Sequence, residues 1–295
     1  MSTREAAPGD IGQDVSVRIY LPDPELQSYV TFYYFVETFA PLTDFLYPEW
    51  GNVRLRIHGD WTVLNDPRDG TAPHEYALYG PTDRRGMVVA DRGKTVGFGL
   101  TPLGWDRLIG TDAGAMANRM ADIEGELGVP PQVLQEAFVA DGDDDAPGVA
   151  RLDRVLLDLL ARRRPGDPLV LAADRVLRRR PPDVARFAAE VGVSPRSLHR
   201  LCLRAFGFAP KRLLRRQRFL ETLGLIRVST DAPFSSLLGE QYYDQAHFNR
   251  DFRDFMGMTA RQYAQTPRAL MHAAAVAQAQ MGITLSFNLP EPPSA

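Results

Sequence analysis

Val184-Ala185-Arg186-Phe187-Ala188-Ala189-Glu190-Val191-Gly192-Val193-Ser194-Pro195-Arg196-Ser197-Leu198-His199-Arg200-Leu201-Cys202-Leu203-Arg204-Ala205-Phe206-Gly207 has an echo fifty residues on, from Phe234 to Gly257. Val184, Phe187, Ala188 and Val191 stand at i, i+3, i+4 and i+7, and so do Phe234, Leu237, Leu238 and Gln241. That is the spacing of one buried helix face. An N-cap residue follows in each copy, Ser194 or Asp244, and opens a second helix. Its apolar face is Leu198, Cys202, Ala205 and Phe206 in one copy, and Phe248, Phe252, Phe255 and Met256 in the other. Both copies close on a glycine, Gly207 or Gly257, where a left-handed C-cap belongs. Two helices joined by a tight turn, twice over, read as paired helix-turn-helix units.

Outward from the repeat, charge divides the chain. Residues 174–268 hold 18 Lys and Arg against 9 Asp and Glu, a balance of +9. The remainder holds 16 against 28, or −12, and together they give the net −3. A basic module beside an acidic one favours a polyanionic partner for the basic part. The single cysteine, Cys202, excludes an internal disulfide and any CxxC metal site. No stretch approaches the roughly 18–20 apolar residues that span a bilayer, and no export signal is evident. A soluble cytoplasmic protein without a membrane partner is expected.

Residues 1–18 read as a loose leader. Short apolar runs separated by turns follow from Phe45 to Leu103. Val53, Leu55 and Ile57 alternate with Asn52, Arg54, Arg56 and His58, the period of a half-buried strand. Gly80-Pro81 and Asp91-Arg92-Gly93 read as turns, and Met87–Ala90 and Val96–Leu100 as separate strands of a small barrel or sandwich. Two or three helices are expected after Trp105, on Leu108, Met116, Met120, Leu127, Leu134 and Phe138. Asp141 to Gly148 reads as a solvated linker, since no EF-hand ligand order accompanies its aspartates. Helices are then expected over Leu152–Leu160 and about Leu169–Arg179. The fold class that results is α+β, with an N-terminal β-barrel and helices, then an all-α domain of two helix-turn-helix units joined by a linker helix. The boundaries are 1–140 for the N-terminal barrel domain, 141–173 for a linker and connecting helix, 174–268 for the DNA-binding domain, and 269–295 for a helix and loose tail.

In the first unit Arg196, Ser197, His199 and Arg200 lie opposite the apolar face. Recognition helices contact base edges from their N-terminal half, and Arg to guanine is the commonest specific pairing. In the second unit Gln245, Ala246, Asn249 and Arg250 point outward. Gln and Asn suit adenine, Arg suits guanine, and an alanine methyl suits the thymine methyl. Asp251 and Asp254 on the same helix are expected to repel phosphate, so the first unit should dominate affinity. Between the units Pro210–Arg227 reads as one helix, with Phe219, Leu220, Leu223 and Ile226 on its buried side. Lys211, Arg212, Arg215, Arg216 and Arg218 cluster in its first half. Arg204, Lys211, Arg212, Arg215 and Arg253 are the candidate phosphate contacts, which fix register without reading sequence. Others should pair with surface carboxylates such as Glu221.

Tyr242-Tyr243-Asp244-Gln245-Ala246-His247-Phe248-Asn249-Arg250-Asp251-Phe252-Arg253, followed by Gly257-Met258-Thr259-Ala260-Arg261-Gln262-Tyr263, resembles the second-motif signature of the AraC/XylS family of bacterial transcription regulators. Ala188 through Pro210 is similar to that family's first motif, so the resemblance covers residues 174–268. It implies monomeric modules that read an asymmetric site on double-stranded DNA with both helices, usually beside a promoter. It places Arg196, His199 and Arg200, and then Gln245, Ala246, Asn249 and Arg250, at base-contacting positions. It also implies a cupin-like barrel with a sensor or oligomerisation role for the N-terminal half, residues 1–140. A small-molecule effector, a homodimer and RNA polymerase are the further partners it admits. Here the sequence departs at Gln241, Ser236 and Leu237, and at Ala260, where the family has other residues.

His58 and His74 are isolated, which argues against a metal, and no cofactor is expected. Trp50, Arg54, Arg56, Trp61 and Trp105 are the candidate effector pocket, with an arginine set to pair an anionic group. The alternative to a regulator is a metal-dependent cupin-type enzyme fused to a DNA-targeting module. Alkyl transfer would need a reactive thiol, and Cys202 lies on the inward face of its helix.

Overall fold

The computed structural model describes residues 7–8, 14–64, 75–138, 144–228, 242 and 245–283. The N-terminal half is one eight-stranded antiparallel sheet. Its strands are β1 (Ala7–Pro8), β2 (Val15–Tyr20), β3 (Val30–Thr38), β4 (Leu42–Leu46), β5 (Asn52–Leu64), β6 (Tyr76–Tyr79), β7 (Gly86–Leu100) and β8 (Met120–Asp122). They lie in the order β1-β2-β3-β7-β5-β6-β8, and β4 also pairs with β7. The α+β class stands, but the sheet is curled and open rather than a closed barrel.

The curl comes from β5 and β7, which pair along nearly their whole length. Asp91-Arg92-Gly93, expected as a turn, lies inside β7, so the two strands anticipated there are one. A bend replaces the turn. Gly59 has φ +78, and a side chain on Gly93 would stand 2.5 Å from the His58 carbonyl. The register of β5 slips on either side of this point. Two glycines in contact let paired strands fold over without parting. Beyond the bend β7 exchanges β3 for β4, which runs on as its neighbour.

Val53 and Leu55 are buried as the alternation predicts, but Asn52 and Arg54 on the other face are buried too. The expectation of a half-wet strand therefore fails, because the C-terminal helices cover that face. The loose leader is also corrected, since β2 begins at Val15 and enters the core. Met120 stands in β8 rather than a helix. Helical structure after the sheet is confined to the turns Pro102–Ile109 and Glu124–Leu127 and to α1 (Pro131–Phe138).

Next come α2 (Ala146–Arg162), α3 (Pro168–Arg178), α4 (Val184–Val191), α5 (Pro195–Phe206), α6 (Pro210–Val228), α7 (Gln245–Met256), α8 (Ala260–Gln265) and α9 (Ala269–Gln280). Asp145, expected in a solvated linker, is 1% exposed and holds Arg18 of β2 at 2.6 Å. Asp141 to Asp143 lie outside the described residues, as do the helix expected over Phe234–Gln241, the Asp244 cap and His74.

The two halves share cores. One cluster runs from Val17, Phe45 and Tyr47 of the sheet region to Phe219, Phe252, Tyr263 and Leu270. Another joins Trp50 and Leu103 to Val170, Phe187, Leu198 and Phe206. The Ala-rich α9 lies across β2 and β4, and the Met271 amide donates to Asp44 at 3.0 Å.

Candidate nucleic-acid interface

The first unit forms as its residues dictate. Asp183 caps α4 by accepting from the Arg186 amide at 2.7 Å, and Gly192 ends the helix at φ +80. Ser194 then accepts from the Ser197 amide at 3.1 Å, with Pro195 at the first helical position of α5. Leu198, Cys202, Ala205 and Phe206 are buried and hold α5 against α4 and α3. That burial turns Arg196, His199 and Arg200 outward as exposed residues, with Ser197 half-buried. Burial pushes the Cys202 thiol up to about 12, so it is no nucleophile in this state.

The second reading helix, α7, is built on aromatic rings. Phe248, Phe252 and Phe255 are buried, and Phe219 of α6 stacks on Phe255 at 4.9 Å between centroids. Gln245, Ala246 and Arg250 are exposed, and Asn249 is half-buried beside them. All eight expected base-contacting residues therefore fall on two outward faces.

Asp251 departs from expectation. It is 1% exposed, and it takes Arg215 at 2.6 Å, Arg218 at 3.1 Å and the Tyr242 hydroxyl at 3.2 Å. It staples α6 to α7 and does not face solvent, so it is not positioned to repel phosphate. Asp254 is exposed, but Arg212 and Arg215 hold it.

The phosphate candidates divide into two groups. Lys211 and Arg253 are exposed and make no ion pair among the described residues. Arg204, Arg212 and Arg215 are engaged. Arg204 reaches Asp106 at 2.8 Å and Asp167 at 2.5 Å. Arg212 reaches Asp83 at 2.7 Å and lies 4.1 Å over the Phe255 ring. Arg216 is buried, 3.9 Å over the Trp50 ring, and its Nε and Nη2 find no acceptor. Burial brings that guanidinium down to about 9. Glu221, expected to pair with this cluster, is held by Arg180 at 3.1 Å.

Both α5 and α7 dock on the N-terminal half by their C-terminal ends. The Ala113 amide donates to the Arg204 carbonyl at 2.8 Å, and the Arg85 amide donates to the Phe255 carbonyl at 2.9 Å. Last-turn carbonyls lack partners inside their own helix, so each bond satisfies an acceptor the helix leaves open. Gly207, at φ +82, lies against Pro81, and Gly257, at φ +63, lies beside Arg85. The fifty-residue repeat thus recurs as a repeated docking contact.

Residues 187–266 match the family described as the helix-turn-helix domain. The C-terminal region is an AraC-type helix-turn-helix domain. That domain makes the chain a DNA-binding transcription regulator. Among curated proteins, none matches the chain. Among solved structures, ToxT from Vibrio cholerae is similar at 11% identity and a TM-score of 0.42, over 77% of this chain and 98% of that one. An apo lysine-to-alanine variant of ToxT is similar at 8% identity and a TM-score of 0.44, over 87% and 98%.

Of the expected effector residues, Arg54 and Trp61 line a cavity of about 100 Å³ between the sheet and α9. Its walls include Val17, Phe32, Val36, Leu270, Met271 and Ala274. Its polar end holds Glu49, Asn52, Tyr34 and Thr95, which the sequence reading missed. The alternation over Asn52–Ile57 was the available signal, had its polar members been read as lining a covered face. Trp50 faces Phe206 and Arg216 instead, and Trp105 is a core residue that donates to the Thr111 carbonyl at 2.9 Å. Arg56 is half-buried on β5 and is not among the lining residues. Among the described residues no cluster of three His, Cys, Asp or Glu is placed to hold a metal, and no helix is long and apolar enough to cross a membrane.

Proposed function

We propose that this protein reads a specific, asymmetric DNA sequence with both helix-turn-helix units, α5 and α7 entering successive major-groove faces of one duplex. The observation that carries the reading is the shared presentation of the two helices. Each turns its N-terminal polar face outward while its C-terminal end is tied to the N-terminal half. α6, with 19 residues, spans about 28 Å at 1.5 Å per residue, near the roughly 34 Å between successive groove faces. Arg196, Ser197, His199 and Arg200 then contact one set of bases, and Gln245, Ala246, Asn249 and Arg250 the other. Lys211 and Arg253 hold phosphates at once, and Arg204, Arg212 and Arg215 join them when their carboxylates release them.

The N-terminal half is the controlling half, because its Asp106 and Asp83 occupy Arg204 and Arg212, two of the arginines the DNA backbone would take. A small molecule in the cavity beneath α9 is the proposed effector, and the cytoplasm the proposed compartment. No enzymatic step is needed in this account.

In vitro selection of bound sequences, followed by Arg200→Ala, tests the reading. The variant should weaken the selected site by about 1–3 kcal/mol and relax preference at one position. Equal loss on selected and scrambled duplexes would mean that Arg200 touches phosphate only. A flat affinity between low and moderate salt would remove the DNA reading altogether.

A further inference from the structure

We propose that the cavity beneath α9 binds a small neutral carbonyl compound, a ligand class that rests on the effector reading above. Three kinds of observation set the class.

Hydrogen-bonding capacity comes first. Arg54 Nη1, Trp61 Nε1 and Thr95 Oγ1 are buried and have no hydrogen-bond partner, and all three residues line this one cavity. The first two can only donate, and the third donates or accepts. Open donors on one cavity wall call for a ligand that brings an acceptor oxygen.

Charge comes second. Glu49 and Arg54 are the charged residues of the lining, and they already form an ion pair with each other. Arg54 also donates to the Tyr34 hydroxyl at 3.1 Å and lies 4.5 Å over the Tyr79 ring. Asn52 donates to the other Glu49 oxygen at 3.3 Å and accepts from Tyr34 at 2.7 Å. The pair is therefore neutralised and fixed in place. A carboxylate brought in beside it would be an excess buried charge, which costs far more than a buried dipole. The expectation of an anionic ligand is thus replaced by one of a neutral acceptor.

Size and walls come third. An apolar cavity of about 150 Å³ takes benzene. This cavity, at about 100 Å³ with a largely aliphatic and aromatic lining, suits a ligand of at most about six non-hydrogen atoms with a compact hydrocarbon body. One wall is Leu270, Met271, Ala274 and Gln278 of α9, the helix that follows the second reading unit. Occupancy therefore bears on how that helix seats against β2 and β4.

The test uses the intact, nitrogen-15-labelled protein, whose three tryptophans give three indole N–H resonances. Cyclopentanone is the probe, and isobutyrate, also of six non-hydrogen atoms, is the anionic counterpart. Cyclopentanone should move the Trp61 indole resonance saturably, with a midpoint in about the low millimolar range for so small a ligand. The Trp105 resonance, already bonded to a carbonyl, should stay in place. Isobutyrate should require at least about tenfold more. Thr95→Val removes a hydroxyl that has no partner, so it should leave the melting temperature unchanged or raise it while raising the cyclopentanone midpoint about three- to tenfold.

A Trp61 resonance that ignores cyclopentanone overturns the proposal, because the cavity then holds water only. Equal or tighter binding of isobutyrate overturns it as well. Binding to the selected DNA, measured with and without saturating cyclopentanone, separates this inference from the reading beneath it. If Trp61 moves and DNA affinity does not, the site stands and effector control through it falls.

Discussion

Replacing Asp83 and Asp106 together by Asn should strengthen DNA binding. Phosphate oxygens and these carboxylates compete for the same guanidinium groups, those of Arg212 and Arg204. Both pairs are partly exposed on the arginine side, 20% for Arg212 and 41% for Arg204, so most of their Coulomb energy is screened. Allowing for that screening, each pair contributes about 0.5–1 kcal/mol, near the upper range for exposed pairs because the aspartates are mostly buried. Relieving two such pairs should raise affinity about five- to thirtyfold at low salt. The gain should shrink as salt rises, since phosphate contacts weaken with ionic strength.

Asparagine at 83 can still accept from Asn118, and at 106 from the Asp167 amide, so the fold should hold. Fluorescence anisotropy on a labelled selected duplex, from about 50 to 200 mM salt, reads the effect. Asp60→Asn with Asp158→Asn, at two exposed sites, carries the same change in net charge and serves as the control. If the control matches the test variant, or if the test variant binds within twofold of wild type, the competition argument is wrong.

Three further outcomes follow from the same contacts. Arg216→Met should raise the melting temperature by a few degrees, because two partnerless buried donors cost about 1–3 kcal/mol each while the Trp50 stacking returns only about 2. A drop in calorimetry of more than a few degrees would show that the guanidinium is satisfied after all. Gly207→Ala should destabilise by at least about 1 kcal/mol, since φ +82 disfavours a side chain and the new Cβ would meet Pro81 at 2.5 Å; a denaturant midpoint equal to wild type contradicts this. Cys202 should resist alkylation at pH 8, because burial pushes its thiol up to about 12 and the thiolate is scarce until the chain opens; rapid labelling of the native protein, read by mass spectrometry, would show that α5 leaves its core.

The sequence by itself determined the local architecture of the reader. Turn glycines, the Ser194 cap and apolar residues at helical spacing fix α4, α5, α6 and α7, because these signals act within a few residues of one another. They also fix which side chains face outward, since burying Leu198 or Phe252 leaves Arg200 or Arg250 no other direction. Only the tertiary structure decided what those helices rest on. Gly93 reads as a turn and becomes a bend, because Gly59, more than thirty residues away, supplies the matching space. Asp251 reads as a surface charge and becomes a buried staple, because Arg215 and Arg218 come from another helix. Arg54 becomes a cavity residue because α9, over two hundred positions later, lies across the face it occupies. Pairings between distant segments leave no periodic trace in the chain, so charge, burial and vacancy at such places exist only once the fold has closed.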